Sequence, residues 1–314
     1  MGAPTFDLQS HSIHSDGALA PGEVVALAAE AGVELLALSD HDSVNGVDEA
    51  LAAGDERGLR IVAATEISAL RSPDEDVHIL GYGVDHHDRA LLDWLAASRA
   101  DRERRAERLA ERLEELGFQI DRSAIEERRG AGKTVGRPHI AAGVLAREAN
   151  APRLAAEGID DVGPFIAAYL IPGAPGYLPR LTPTVEDAVS AIHDAGGVAV
   201  WAHPFWDLDS SDEVLAEIDR FRGFGLDGVE TFYATHTRGQ THLLYEHCSA
   251  NGLLQTGSAD FHGPDHKQFN AFRAFDLHGL EPVLGPIAEA ATRRRPASPP
   301  AGSRAPRRRA PRRR

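Results

Sequence analysis

Five short apolar runs in this chain break off into histidine, aspartate or glutamate, and this pattern limits the fold more than any other feature. Residues 5–9 give way to S-H-S-I-H-S-D-G, 35–39 to D-H-D, 61–65 to Glu66, 196–202 to His203, and 253–258 to A-D-F-H-G. A further run, 77–81, carries His78 inside it, and another, 227–232, precedes Y-A-T-H-T. Side chains at i and i+2 on an extended segment share a face. Gln9 and His11 therefore leave the first run on one side, and Asp16 returns a carboxylate beside the turn at Gly17. A single histidine is usually a surface or satisfied core residue. Recurrence at one run after another is what argues for a site.

Helix-like segments separate the runs. Pro21 opens one through about residue 31, where its missing N–H does no harm, and a second over 47–57 stops at Gly58. Strand–helix–strand alternation predicts parallel strands in an α/β domain. The rhythm breaks at 92–116, a long charged stretch with a helical stripe of Leu95, Ala106, Leu109, Leu113 and Leu116. Helices over 136–148 and 163–170 and a P-G-A-P-G loop at 172–176 follow. Alternation resumes with helices over 185–195, 212–224, 238–250 and 281–292. Seven strands with polar residues at their C-terminal ends predict a seven-stranded (βα)7 TIM-like barrel, whose site lies at that face. The expected organisation is barrel over 1–94 and 186–292, an inserted helical subdomain over 95–185, and a disordered tail over 293–314.

No apolar run is long enough to span a bilayer, and the N-terminus M-G-A-P-T-F-D has no signal-peptide pattern. The one cysteine, Cys248, excludes an intrachain disulfide framework and, with no disulfide-linked partner or membrane expected, suits a cytoplasmic protein. The net charge of −15 conceals a division: residues 293–314 hold ten arginines and no acid, leaving 23 basic against 48 acidic residues in the body. An acidic body suits the gathering of divalent cations. The tail reads as a solvated end, with contact to RNA or another anionic partner as the alternative.

The candidate ligands are Gln9, His11, Asp16, His41, Glu66, His78, His203, Asp260 and His262. Only a closed barrel with converging strand ends would bring such distant residues together. Imidazole with carboxylate suits zinc, manganese or iron better than calcium. The set exceeds the needs of one ion, so two or three ions sharing a carboxylate follow, and such sites serve phosphoryl chemistry.

The ordered segments D-L-x-x-H…S-D-G, S-D-H-D, T-E-I-S, H-I-L-G, A-H-P and S-A-D-F-H-G resemble the PHP (polymerase and histidinol phosphatase) family of the amidohydrolase superfamily. The resemblance implies a distorted barrel with up to three divalent ions (Mn, Zn, Fe or Mg) that hydrolyses phosphoesters. The insertion with G-R-P-H and Pro175-Gly176-Tyr177 is similar to the branch acting on nucleotides, including nucleoside 3′,5′-bisphosphates and AMP, some of which trim short RNA from its 5′ end. It implies His11, Glu66 and Asp260 at one ion, with Glu66 bridging to a second held by His78 and His203, and Asp16, His41 and His262 at a third. Where the family has D-L-H-x-H this chain has D-L-Q-S-H, so Gln9 puts a weaker neutral oxygen at the first ion. Hydrolysis is expected by metal-activated hydroxide, with His203 and Asp260 as catalytic groups.

Asp40 and Asp42, flanking His41, are read either as partners fixing imidazole tautomers or as loop caps. Arg137 and His139, around Pro138 at a helix start, are expected to bind substrate phosphate. His236 is expected near the site, touching phosphate or donating a proton. Phe205 and Trp206 either stack on a base or pack the barrel rim. The competing readings are a histidinol-phosphate or other small-molecule PHP phosphatase, a nucleic-acid-binding module using the arginine tail, and, more remotely, a carbon–nitrogen hydrolase.

Overall fold

The computed structural model describes residues 4–72, 75–130, 135–178 and 183–290; the arginine-rich run at 293–314 lies outside them. Seven strands form one sheet in sequence order: β1 (Phe6–Asp7), β2 (Leu35–Leu38), β3 (Arg60–Ser72), β4 (Glu75–Tyr82), β5 (Val198–Trp201), β6 (Gly228–Tyr233) and β7 (Leu254–Ser258). The sheet closes where Leu8 N–H donates to the Gly257 carbonyl at 3.1 Å and His11 N–H to that of Phe261 at 2.8 Å. Buried Asp7 tightens this seam, its carboxylate accepting from the backbone N–H groups of Ala259 at 3.0 Å and Arg273 at 2.8 Å.

β2 reads L-L-A-L with every residue buried, because a barrel strand is covered on both faces. Leu35 and Ala37 join Phe6, Leu8, Val62, Ala64, Leu80 and Tyr82 in the barrel interior. Leu36 and Leu38 turn the other way, against Val24, Val25 and Ala28 of the helix Pro21–Glu30. The Tyr82 hydroxyl crosses the interior to donate to the Leu8 carbonyl at 2.8 Å, just before the first candidate ligand.

The strands are not all parallel, which corrects the expectation drawn from alternation. β4 runs antiparallel to both β3 and β5. Ser72 pairs with Glu75, leaving too little chain for the dozen-residue crossover that a parallel neighbour requires. This reversal distorts the barrel. β3 runs 13 residues, on past Glu66, and β4 starts level with its far end, so His78 lies opposite Ser68 inside a strand.

The helix Arg89–Glu115, N-capped by the Asp88 carboxylate, which accepts from Leu91 N–H at 2.8 Å, serves two cores. Leu91 and Leu95 pack into the barrel with Val185 and Ile192. Ala106, Leu109 and Leu113 pack instead with Phe118, Ile140 and Phe165 of the helical insertion. The helices Ser123–Gly130, Arg137–Leu145, Ala151–Ala156 and Val162–Tyr169 complete that insertion. The first and third of these escaped the sequence reading, because S-A-I-E-E-R-R-G carries no apolar stripe and A-P-R-L-A-A is only six residues long. No described helix is long and apolar enough to cross a membrane, and Cys248 is buried.

Tyr82→Phe removes the donor to the Leu8 carbonyl while keeping the ring. It should cost about 1–3 kcal/mol in urea unfolding, and an unchanged midpoint would show that the bond across the interior contributes nothing.

Candidate metal centre

The loop after β1 is held by a web of short hydrogen bonds around Asp40. Its carboxylate accepts from Ser12 N–H, Ser12 Oγ–H and Ser15 Oγ–H, each at 2.7 Å. Asp42 accepts from Ser68 N–H at 3.0 Å. Of the two roles open for these acids, capping the loops is the one observed for Asp40, and Asp42 caps the backbone of β3. The turn at Gly17 then presses directly on the loop: a Cβ there would lie 2.2 Å from the His11 carbonyl oxygen, so only glycine fits.

Glu66 is the hub. Its Oε2 lies 3.1 Å from His11 Nε2 and 3.5 Å from His41 Nδ1. Its Oε1 lies 2.8 Å from His78 Nδ1 and 3.2 Å from His203 Nε2. His11 Nε2 also faces Asp260 Oδ1 at 3.1 Å. Asp16 joins the set at 3.5 Å from both His41 Nε2 and His262 Nε2. The structure thus gathers His11, Asp16, His41, Glu66, His78, His203, Asp260 and His262 at one mouth of the barrel.

Two of these residues require an unusual backbone. His203 and Asp260 have φ of +30° and +55°, values costly for a side-chain-bearing residue. Each follows an alanine, Ala202 or Ala259, that fills the barrel interior. On a continuing strand the next side chain would point to the opposite face; the left-handed turn brings it back over the mouth.

The donors fit divalent ions. Metal–ligand bonds of ~2.0–2.2 Å place neighbouring ligands ~3 Å apart, which is the spacing around Glu66. His11 Nε2, Glu66 Oε2 and Asp260 Oδ1 are buried, yet none has a properly directed hydrogen bond among the described residues, a cost that a shared cation would remove. Burial alone would raise the Glu66 carboxyl, but His41 and His78, with His11 and His203, hold it well below the usual carboxylate range. Burial would likewise lower His203, and the Glu66 carboxylate lifts it instead to about 9. His11 is raised well above an ordinary imidazole by Asp260 and Glu66 against the same burial. A cation would therefore enter by displacing protons.

Two contributors, Glu230 and Tyr233, were not foreseen. Glu230, buried in β6, accepts from His203 N–H at 2.9 Å and from Ser258 Oγ–H at 2.6 Å, and burial pushes it up to about 8. The Tyr233 hydroxyl donates to Asp260 Oδ2 at 2.8 Å, leaving Oδ1 toward His11. Gln9 lies on the floor beside Ser258, 3.3 Å from its hydroxyl. His236 is buried beside Tyr233; its Nδ1–H donates to the Thr231 carbonyl at 3.2 Å, and burial lowers it to about 4.

A cavity of about 300 Å³ opens from the cluster toward the insertion. Asp16, His41, Ser68 and His78 line it from the barrel, and Arg105, Arg128, Arg137 and His139 from the helices. His139 Nδ1 accepts from Gly136 N–H at 3.0 Å, so its Nε2 bears the proton. Arg105 is braced by donating Nε–H to the Leu178 carbonyl at 2.9 Å. Arg137 and His139 were expected here. Arg105 and Arg128 are additional.

A barrel with a histidine–carboxylate cluster at its mouth and a cationic wall beside it defines a metal-dependent hydrolase of anionic esters. The comparisons agree. The PHP domain matches residues 7–130. A 3′,5′-nucleoside bisphosphate phosphatase of Chromobacterium violaceum is 33% identical over 284 residues, covering 90% of this chain and 94% of that protein. A 5′-3′ exoribonuclease of Haemophilus influenzae is 31% identical over 260 residues, 82% of this chain and 90% of that one. A solved amidohydrolase from Chromobacterium violaceum, with bound sulfate and no metal, superposes with a TM-score of 0.70 at 30% identity, covering 91% of this chain and 96% of that one. The chain belongs to the PHP family, and the protein is a phosphoric ester hydrolase.

Gly17→Ala should displace the His11 loop and lower bound divalent metal at least several-fold, as counted by elemental analysis. Full metal content in that variant would show that the close approach is not needed.

Proposed function

We propose that this enzyme removes phosphate from nucleotides, nucleoside 3′,5′-bisphosphates and AMP being the substrate class, and also shortens short RNA from its 5′ end. The observation carrying this reading is the cavity itself, in which a metal-type cluster faces Arg105, Arg128 and Arg137 across a space open to a small molecule. A monoester needs one such cluster, whereas a second cationic wall suits a substrate with a second phosphate. The names of the bisphosphatase and exoribonuclease relatives support the same class. We place the enzyme in the cytoplasm, with its nucleotide substrates.

His11, Glu66 and Asp260 would hold one ion, Glu66, His78 and His203 a second, and Asp16, His41 and His262 a third, with manganese, zinc, iron or magnesium as candidates. When bound, such ions supply an activated water and neutralise charge on the phosphoryl group. Gln9 can add a neutral oxygen at the first. The Ser258 proton is committed to Glu230 at 2.6 Å, so the Gln9 amide is best satisfied with its NH₂ donating to Ser258 and its carbonyl bare.

The protein's own groups do the rest. Tyr233 fixes Asp260, and Glu230 fixes the backbone of His203, so both catalytic candidates are held before substrate arrives. His139 offers an Nε2–H, and Arg137, Arg105 and Arg128 offer guanidinium forks, to the phosphate remote from the scissile bond. His236, neutral with Nδ1–H engaged, presents Nε2 as an acceptor rather than as a proton donor.

His203→Ala and Asp260→Ala should each abolish phosphate release while leaving the circular dichroism spectrum unchanged; retained activity in both would remove the proposed site. Arg137→Ala should raise KM for a 3′,5′-bisphosphate at least ten-fold more than for a monophosphate. Chelation should stop turnover, and added Mn²⁺ should restore it. A phosphate-release screen across bisphosphates, mononucleotides, sugar phosphates, histidinol phosphate and 5′-phosphorylated RNA tests the substrate class, and a preference for histidinol phosphate would overturn it.

A further inference from the structure

The two aromatic residues after A-H-P behave differently in the fold. Phe205 packs against the barrel core and stands edge-on to His236 with ring centres 5.5 Å apart. Trp206 is 51% exposed, the bulkiest exposed apolar side chain among the described residues. It is nevertheless held in place. Its backbone N–H donates to the His203 carbonyl at 2.8 Å, and its indole leans on Phe269 with ring centres 5.5 Å apart. Phe269 in turn stands 5.7 Å from His262, which stacks at 4.3 Å on His11. A file of rings thus runs from the centre out to solvent and ends on a supported, half-bare indole.

We propose that Trp206 is the stacking platform for the nucleobase of the substrate, an inference that rests on the nucleotide reading above and adds to it. The arginines stand on the side of the mouth formed by Asp16, His41 and His78. Trp206 is not part of that lining; it stands just past His203 and, through Phe269, next to His262. Phosphate and base are therefore gripped by separate parts of the site. Every base has a π face, so stacking recognises a nucleotide without reading which base it carries. The platform would separate nucleotides from sugar phosphates and leave purines and pyrimidines alike acceptable.

The test compares AMP with ribose 5-phosphate, which differ only by the base, on the metal-loaded enzyme. Trp206→Ala should raise KM for AMP about ten-fold, within what stacking on one aromatic ring contributes, with kcat little changed and KM for ribose 5-phosphate unaltered. Trp206→Phe should recover most of the loss. In parallel, AMP but not ribose 5-phosphate should quench the Trp206 emission, isolated by subtracting the spectrum of the Phe variant, which keeps Trp94 and Trp201. Equal effects on both substrates, or unchanged KM with unquenched emission, overturn the platform. If neither compound nor a nucleoside 3′,5′-bisphosphate is hydrolysed the nucleotide-phosphatase reading falls, and the quenching by AMP alone then decides for or against stacking.

Discussion

A carboxylate with no exposed surface, Glu66, sits among four imidazoles, and the architecture of the mouth follows from keeping it charged there. An isolated buried anion would take up a proton. Here His11, His41, His78 and His203 approach it from different strands, so the electrostatic cost of the acid is met only when the barrel is closed. The same proximity brings the histidines close enough to repel one another if all were protonated. The cluster is stable in charge only with an acid at its middle and cations, protons or metals, distributed around it.

The shape of the barrel serves that arrangement. Because β4 reverses direction, β3 and β4 form a ribbon that continues past the position of Glu66, and His78 enters from its middle. At His203 and Asp260 the chain instead leaves its strand through a left-handed residue. These strained positions are fixed from behind, by Glu230 on the His203 backbone and by Tyr233 on the Asp260 carboxylate. Strain of this kind persists where neighbours over-determine the conformation.

Much of this was legible in the residues and some was not, for physical reasons. The seven strands announce themselves because a barrel strand buries both faces, as L-L-A-L in β2 does. Direction is different: V-H-I-L-G would be equally apolar running either way, and only the short link from Ser72 to Glu75 betrays the reversal. Histidines and acids after apolar runs are conspicuous by type. Glu230 is not, since it lies inside G-V-E-T-F-Y and looks like an outward-facing strand residue. Arg105 sits among many similar arginines, and nothing local marks it until the insertion folds over the mouth. The ambiguity between cap and tautomer partner at Asp40 was settled by Ser12 and Ser15, whose hydroxyls could not be placed from spacing alone.

The helix Arg89–Glu115 roots its first turns in the barrel and its last in the insertion, so it acts as a strut of set length and phase between them. An α-helix turns about 100° per residue. Losing or gaining a single residue between Leu95 and Ala106 would swing Arg105 off the cavity and unseat the second core together. Substitutions on the strut's wet face can thus leave the spacing untouched, but its residue count is geared to the width of the cavity it spans.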